Sequence, residues 1–257
     1  MSQKWDPQQY LKFAGPRLRP ALDLLARIDV AAPATVYDLG CGPGNLTRFL
    51  KDRWPDAEII GIDNSPSMLD RARAAHPDAS WREADLTGWR PDAPADVIYA
   101  NAALQWVDGH EQLFPALMAG LKPGGALAVQ MPRNHTAPSH ALMQDAIAAS
   151  PWADAMQGAR GLPPVPGPET YYDILHPHAA QLDIWESEFL QVLEGDNAVA
   201  EYTRGSALKV YLDALADDDQ RKQFFDDYSA RVQNAYPKRA DGKTLFPFRR
   251  LFIVAKR

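Results

Sequence analysis

The sequence lacks the features that would place it in several special classes of protein. It has one cysteine, Cys41, in 257 residues, so no disulfide can form within the chain, as is usual in a reducing compartment. No apolar run reaches the roughly 18 residues of a membrane-spanning helix, and the first residues contain no apolar stretch of the kind found in signal peptides. We therefore expect a cytoplasmic protein that has no membrane partner.

An excess of positive charge is also absent. The chain has 27 Lys and Arg against 33 Asp and Glu, which gives a formal net charge of -6. Proteins that bind nucleic acid through a broad basic surface show the opposite balance. The six histidines are not accompanied by paired cysteines or by an H-E-x-x-H motif, so we predict no metal site. We expect a monomer whose partner is a small molecule, with no nucleic acid bound.

What the first half does contain is an alternation of short apolar runs and amphipathic stretches. This pattern is typical of right-handed βαβ units that build a parallel sheet. Strands are predicted at 34–39, 58–63, 96–101 and 126–131, and helices at 45–54, 66–76 and 109–121. The turn between the last helix and the last strand is predicted at 122–125, where the chain reads KPGG.

In the second half the alternation breaks down. Helices are predicted at 140–150 and 217–236, and strands at 182–193 and 249–256 are expected to pair in antiparallel fashion at the sheet edge. The proline-rich run 158–168 is predicted to be a loop, because proline disrupts helices.

The most informative motif lies at residues 36–45, which read VYDLGCGPGN. A predicted strand runs into a glycine turn and then a helix. Glycines at this turn let the backbone approach a ligand closely, and the helix N-terminus adds N–H donors. The next strand ends at Asp63, 19 residues after Gly44, where an acid can accept hydrogen bonds from ribose hydroxyls.

The glycine spacing bears on which nucleotide could bind. The turn reads G-x-G-x-G and follows Asp38, whereas dinucleotide folds typically have G-x-G-x-x-G and place a pyrophosphate on the helix. An acid beside the turn favours a cationic ligand such as S-adenosylmethionine. A purely structural tight turn remains an alternative at this point.

These motifs resemble those of the class I S-adenosylmethionine-dependent methyltransferases. Residues 38–44 resemble the first motif of that family, and EADL at 83–86, NAALQW at 101–106 and LKPGG at 121–125 resemble later ones in the same order. The resemblance implies S-adenosylmethionine as cofactor, with S-adenosylhomocysteine as product. The residues it places near the cofactor are Trp5, Tyr10, Phe13, Asp38, Gly40, Gly42, Asp63, Asn64, Met68, Asp85, Leu86, Asn101, Ala102 and Trp106.

Segments that follow these motifs in the chain are similar to the trans-aconitate methyltransferase family. They include AVQMP at 128–132, YYDIL at 171–175, DIW at 183–185 and RLFIVA at 250–255. The similarity implies methyl esterification of a small polycarboxylate such as trans-aconitate. Lys209 stands where the resemblance implies an arginine, so another acid stays open as substrate. The implied substrate contacts are Gln105, Arg133, His135, Tyr172, Trp185, Lys209, Arg249 and Arg250.

The expected architecture is a Rossmann-like, seven-stranded, mostly parallel sheet with an antiparallel edge strand and a helical cap. The predicted domains are an N-terminal helical lid at 1–30, the cofactor-binding core at 31–131, a helical substrate cap at 132–246 with an edge strand near 182–193, and a final sheet strand at 247–257.

The reaction asks for no particular catalytic group. A carboxylate is ionised at neutral pH because its pKa lies near 4, so in-line transfer by proximity needs no general base. Three alternatives stay open at this point. They are a class I methyltransferase acting on another O or N nucleophile, which would need a base, a non-enzymatic nucleotide-binding protein, and a nicotinamide-dependent dehydrogenase.

Overall fold

A computed structural model describes residues 14–159, 161 and 163–257 of the chain. The chain divides into two compact units. The sheet unit comprises Leu18–Arg133, Val165–Ser187 and Arg250–Arg257, and the helical unit comprises residues 14–17, Asn134–Pro164 and Glu188–Arg249. The helical cap predicted at 132–246 stays a prediction, and the segment Val165–Ser187 groups with the sheet unit.

The central element is a seven-stranded sheet in the order β3-β2-β1-β4-β5-β7-β6. Strands β1 to β5 pair in parallel, and β7 runs antiparallel to β5. This confirms the predicted fold class, with the antiparallel strand second from the edge and β6 outside it. The strands are β1 (Thr35–Leu39), β2 (Glu58–Asp63), β3 (Ser80–Glu83), β4 (Ala95–Asn101), β5 (Leu121–Pro132), β6 (Gln181–Leu193) and β7 (Thr244–Lys256).

Ten helices accompany the strands in the part of the chain that the structure describes. None of these helices is long and apolar enough to cross a membrane. The helices are α1 (Ala14–Ala26), α2 (Thr47–Arg53), α3 (Pro66–Ala75), α4 (His110–Ala119), α5 (Pro138–Ala149), α6 (Ala153–Gln157), α7 (Pro168–Leu175), α8 (Ala198–Arg204), α9 (Lys209–Asp213) and α10 (Asp218–Ala235), and Leu104–Trp106 forms a 3₁₀ turn.

The predicted turn at 122–125 lies inside a strand. Strand β5 starts at Leu121, and its pairing with β4 jumps from Ala95↔Leu121 to Val97↔Ala126. Gly124 has a φ of +80°, a left-handed conformation that glycine adopts at little cost. The residues between therefore form an irregularity within the strand rather than a turn that precedes it.

Two features of the sheet bear on where a ligand could bind and which side chains could face it. The strand order reverses between β1 and β4, and open α/β sheets bind ligands at the carboxyl ends of the strands flanking such a switch point. Along β5, Leu127, Val129 and Met131 belong to the hydrophobic core of the sheet unit. Because side chains alternate along a strand, Ala128 and Gln130 face the opposite side.

Candidate functional site

The glycine turn is held against the end of β2. Gly40, Gly42 and Gly44 have φ angles of +68°, +55° and +79°, the left-handed region that disfavours any side chain. The Gly40 N–H donates to the Ile62 carbonyl at 2.7 Å. A Cβ at Gly40 would lie 2.3 Å from the Cβ of Ala103, so the turn contacts the loop after β4. The positive φ angles and the close packing against Ala103 thus explain why this turn is rich in glycine.

Asp63 at the end of β2 organises the same turn. Its Oδ2 accepts a hydrogen bond from the Gly42 N–H at 2.8 Å, and its Oδ1 accepts one from the Ser65 N–H at 2.9 Å. Each carboxylate oxygen has a second lone pair. Among the described residues, no atom outside Gly42 and its two chain neighbours lies within 4 Å of the position that a Cβ on Gly42 would take. Open space beside an acid with free acceptor capacity can receive a ligand that carries hydroxyl donors.

Asp38 lies beneath the turn and is 1% exposed. Its Oδ2 accepts a hydrogen bond from the Thr47 hydroxyl at 3.2 Å. Burial raises the pKa of the Asp38 carboxyl to about 7, against the effect of the Thr47 hydrogen bond and together with the charge of Asp63. A cation bound above the turn would favour the ionised form of Asp38.

The raised pKa makes the stability of the unliganded protein depend on pH. Between pH 4 and 7 the folded protein holds a proton at Asp38 that the unfolded chain has released, so stability falls as the pH rises through this window. The Asp38→Asn variant has no such proton to release. Relative to the wild type, its free energy of unfolding should therefore be larger at pH 8 than at pH 5 by on the order of 2 kcal/mol, or about 4–8 °C in Tm. Thermal unfolding at both pH values measures this. An equal difference in Tm at pH 5 and pH 8 would contradict it.

Cys41, in the same turn, is not a reactive thiol. It is 8% exposed, and burial, with the nearby acids Asp38 and Asp63, raises its pKa far above the usual range. The thiol therefore stays protonated. Among residues 14–159, 161 and 163–257, no three His, Cys, Asp or Glu side chains gather as metal ligands would.

The segment after β3 approaches the turn from the other side. The Ala84 N–H donates to the Asp63 carbonyl at 3.0 Å, and the Leu86 side chain lies within 3.9 Å of a Cβ placed on Gly40. Asp85 is exposed, and the hydrogen bond from the Thr87 N–H lowers the pKa of its carboxyl. The acid predicted for adenine recognition is therefore ionised at neutral pH.

The ends of β4 and β5 and the 3₁₀ turn carry three buried amide side chains, each with one atom that has no hydrogen-bond partner among the described residues. Asn101 and Gln130 are opposite each other in the register, and Ala102 has a φ of +52°, which is strained for a residue with a side chain. Gln105 donates from Nε2 to the Ala102 carbonyl at 2.7 Å. Asn101 Oδ1, Gln105 Oε1 and Gln130 Nε2 are buried and have no hydrogen-bond partner among the described residues. Such atoms in a native fold often bind a ligand or water.

Arg250 joins this group from β7. It is 5% exposed and donates from Nη1 to Gln130 Oε1 at 3.2 Å. Trp185 stacks on Phe252 with ring centroids 4.9 Å apart, and Phe252 is the register partner of Gln130. Of the predicted substrate contacts, Arg250 thus contacts Gln130 directly, and Trp185 packs on Phe252, the register partner of Gln130. Gln130 is not among the predicted substrate contacts, although a lone polar residue in the apolar run ALAVQM at 126–131 is a usable signal.

The other predicted contacts in the sheet unit are partly occupied. Arg133 forms an ion pair with Glu186 at 2.8 Å and donates from Nε to the Pro166 carbonyl at 3.1 Å. Tyr172 is 56% exposed and stacks on His176. Further predicted cofactor residues are Met68, which is buried on α3, and Trp106, which is exposed.

The remaining predicted substrate contacts lie in the helical unit. Lys209 forms an ion pair with Asp213 at 2.6 Å, one turn along α9. The side chain of Arg249 is exposed, and its backbone N–H donates to Asn134 Oδ1 at 3.2 Å. His135 is next to Asn134 in the same unit. Trp5, Tyr10 and Phe13, predicted to cover the cofactor, lie outside the described residues.

A histidine that sequence reasoning missed supports the 3₁₀ turn. His110 contacts the Leu104 carbonyl through Nε2 at 2.9 Å and the Tyr171 hydroxyl through Nδ1 at 2.7 Å. Because a carbonyl only accepts, Nε2 carries the proton and Nδ1 accepts from Tyr171. Both ring nitrogens are occupied, so His110 holds the turn that carries Gln105. The 61-residue separation of His110 and Tyr171 hides this contact from local sequence patterns.

Known proteins are similar to this chain in sequence and in fold. Residues 36–125 match a methyltransferase domain family. A trans-aconitate 2-methyltransferase of Azoarcus sp. (strain BH72) is 50% identical over 253 residues, covering 98% of this chain and 99% of its own length. The protein of the same name from Methylobacterium radiotolerans is 44% identical over 260 residues, covering 98% of each chain. These relatives span both compact units.

Solved structures share the architecture at low sequence identity. The YcgJ protein of Bacillus subtilis has a TM-score of 0.59 at 13% identity, covering 92% of this chain and 97% of its own. Phosphoethanolamine N-methyltransferase 2 of Haemonchus contortus in complex with S-adenosyl-L-methionine has a TM-score of 0.56 at 15% identity, covering 93% of this chain and 52% of its own. At this level of identity the likeness concerns the fold alone.

Proposed function

This chain belongs to the trans-aconitate 2-methyltransferase family and is an S-adenosylmethionine-dependent methyltransferase, and from that premise we propose that it methylates one carboxylate of trans-aconitate. The product is the monomethyl ester. The dehydrogenase and the non-enzymatic binding protein that the sequence left open are set aside by this membership.

The observation that carries the substrate proposal is the extent of the similarity. Identity of 50% with the relative from Azoarcus extends over 98% of this chain, whereas the methyltransferase domain match covers only residues 36–125. Proteins of one fold act on different substrates through the different sites that they carry. The similarity therefore includes the part of the chain that would select the acid.

The residues around the glycine turn fit the cofactor. The open space over Gly42, the acceptor capacity of Asp63 and the buried carboxylate of Asp38 suit a nucleoside that carries positive charge. We assign ribose binding to Asp63 and adenine binding to Asp85 and Leu86, with Asn64 and Met68 beside them. When bound, S-adenosylmethionine supplies an electrophilic methyl group. We also keep the proposal that Trp5, Tyr10 and Phe13 cover this ligand.

The protein's contribution to the chemistry is positioning. A substrate carboxylate is already ionised at neutral pH, so methyl transfer to it needs no general base. Both ring nitrogens of His110 are held by hydrogen bonds, and the Cys41 thiol stays protonated. Alignment of two bound reactants can contribute about 7–11 kcal/mol to lowering the barrier. Among the predicted cations we assign the main carboxylate contact to Arg250, because it is buried in the sheet unit and contacts the Gln130 amide.

A substrate panel tests the proposed function. Methyl transfer from labelled S-adenosylmethionine should be fastest with trans-aconitate, and kcat/KM should fall about tenfold or more for each carboxylate removed, since each charged hydrogen bond contributes roughly 1.5–3 kcal/mol. Amines and phenols of similar size should be inert. Faster transfer to an amine or a phenol than to any polycarboxylate would overturn the proposal.

A further inference from the structure

Donors and acceptors are segregated along the carboxyl end of the sheet. On β2 and β1 the charged groups are the carboxylates of Asp63 and Asp38, and on β4 the amide atom without a hydrogen-bond partner among the described residues is the acceptor Asn101 Oδ1. On β5 and β7 the corresponding groups are donors, namely Gln130 Nε2 and the Arg250 guanidinium. The β1–β4 side therefore favours a cation, and the β5–β7 side favours an anion.

The orientation of the Gln130 amide follows from its contact with Arg250. Gln130 is fully buried, and its Oε1 accepts from Arg250 Nη1 at 3.2 Å. The opposite orientation would direct two N–H groups at each other, because guanidinium nitrogens only donate. Nε2 is thereby aimed away from Arg250. It has no hydrogen-bond partner among the residues that the structure describes, and burying such a donor is costly unless a ligand satisfies it.

The amide of Gln130 is neutral and does not offset the positive charge of the Arg250 guanidinium. The hydrogen bond that Gln130 accepts from Arg250 Nη1 therefore adds no negative charge beside the guanidinium. Carboxylates take two parallel N–H donors with good geometry. A donor amide next to a guanidinium on one sheet face is therefore suited to a carboxylate.

We propose that Gln130 is a specificity-determining residue, which donates from Nε2 to a substrate carboxylate that is not methylated and orients Arg250 toward the same carboxylate. This rests on the proposed function, because it names where the acid is held. It also gives the acid a direction, since one end is anchored on the β5–β7 side and the reacting carboxylate faces the cofactor on the β1–β4 side.

The Gln130→Glu substitution separates this role from a structural one. A carboxylate at this position would pair with Arg250, so the unliganded protein should keep or raise its Tm. The same carboxylate would repel the substrate, so KM for trans-aconitate should rise about 10- to 100-fold. The Kd for S-adenosylhomocysteine, measured by calorimetry, should change less than about twofold.

Two further variants control this experiment. Gln130→Met keeps the side-chain volume but removes both amide atoms, and it should raise KM about tenfold with a smaller effect on kcat. Gln112→Glu adds the same charge on the exposed surface of α4 and should leave KM and kcat unchanged. A residue with a purely structural role would change Tm and kcat in Gln130→Met and leave KM alone.

The outcomes distinguish this inference from the proposed function. Calorimetry of trans-aconitate binding in the presence of S-adenosylhomocysteine tests the inference without turnover. If the wild type binds the acid but does not methylate it, the proposed function fails and weaker binding by Gln130→Glu still supports the inference. If the wild type methylates the acid and Gln130→Glu keeps its KM, the inference alone is overturned. A wild type that does not bind the acid overturns both.

Discussion

Replacing Asp63 by alanine should weaken the binding of S-adenosylmethionine about 30- to 150-fold, which corresponds to about 2–3 kcal/mol. The substitution removes the carboxylate proposed to accept hydrogen bonds from the ribose. It also removes the acceptor for the Gly42 N–H, so the turn loses its fixed shape before the ligand arrives. Calorimetric titration of the purified variant measures the effect.

Two variants divide this effect into its parts. Asp63→Asn keeps an oxygen for the Gly42 N–H but loses one acceptor and the charge, so we expect a loss of about tenfold. Asp52→Ala removes an exposed carboxylate at the end of α2 and should leave the Kd unchanged. Binding by Asp63→Ala within about threefold of the wild type would show that this acid does not contact the cofactor.

Alanine at Gly40 should mainly impair folding, whereas alanine at Gly42 should mainly impair cofactor binding. Both glycines have positive φ, so both variants incur roughly 1–2 kcal/mol of backbone strain. At Gly40 the added Cβ would also lie 2.3 Å from the Cβ of Ala103, and the backbone of that loop would have to move. Gly40→Ala should therefore lower the Tm by about 10 °C or more, or prevent folding.

At Gly42 the Cβ would enter open space. We expect Gly42→Ala to lower the Tm by only about 2–6 °C. If the cofactor occupies that space, its affinity should fall at least tenfold, because the methyl group would exclude it. Thermal unfolding and calorimetry on the two variants make the comparison. Normal cofactor affinity in Gly42→Ala would place the ligand elsewhere.

Local signals in the sequence were sufficient for much of the sheet. The run at 58–63 predicts β2 with its observed bounds, since an apolar stretch ends at an acid and a turn. Strand β3 (Ser80–Glu83) was missed because it lies at the sheet edge, is half-exposed and contains no apolar run. The prediction of a turn at 122–125 was wrong because glycine and proline occur at an irregularity within a strand, as in β5, as readily as in a turn.

The site was predictable only where neighbours in sequence are neighbours in space. The glycine turn and Asp63 follow from strand–turn–helix spacing, and the contact between Asp63 and Gly42 fits that reasoning. Gln130 and Arg250 are 120 residues apart, and their contact depends on β7 inserting beside β5. Likewise, the ion pair between Arg133 and Glu186 cannot be read from either residue's surroundings in the sequence.

We propose above that a carboxylate oxygen of trans-aconitate receives the methyl group, and this transfer can be observed directly. The most direct test incubates the wild-type protein with S-adenosylmethionine carrying a ¹³C-labelled methyl group and trans-aconitate, followed by NMR and mass spectrometry of the products. We expect one labelled ester methoxy signal, a monomethyl ester, and S-adenosylhomocysteine in equal amount. Unchanged trans-aconitate, or label recovered on nitrogen or carbon, would contradict it.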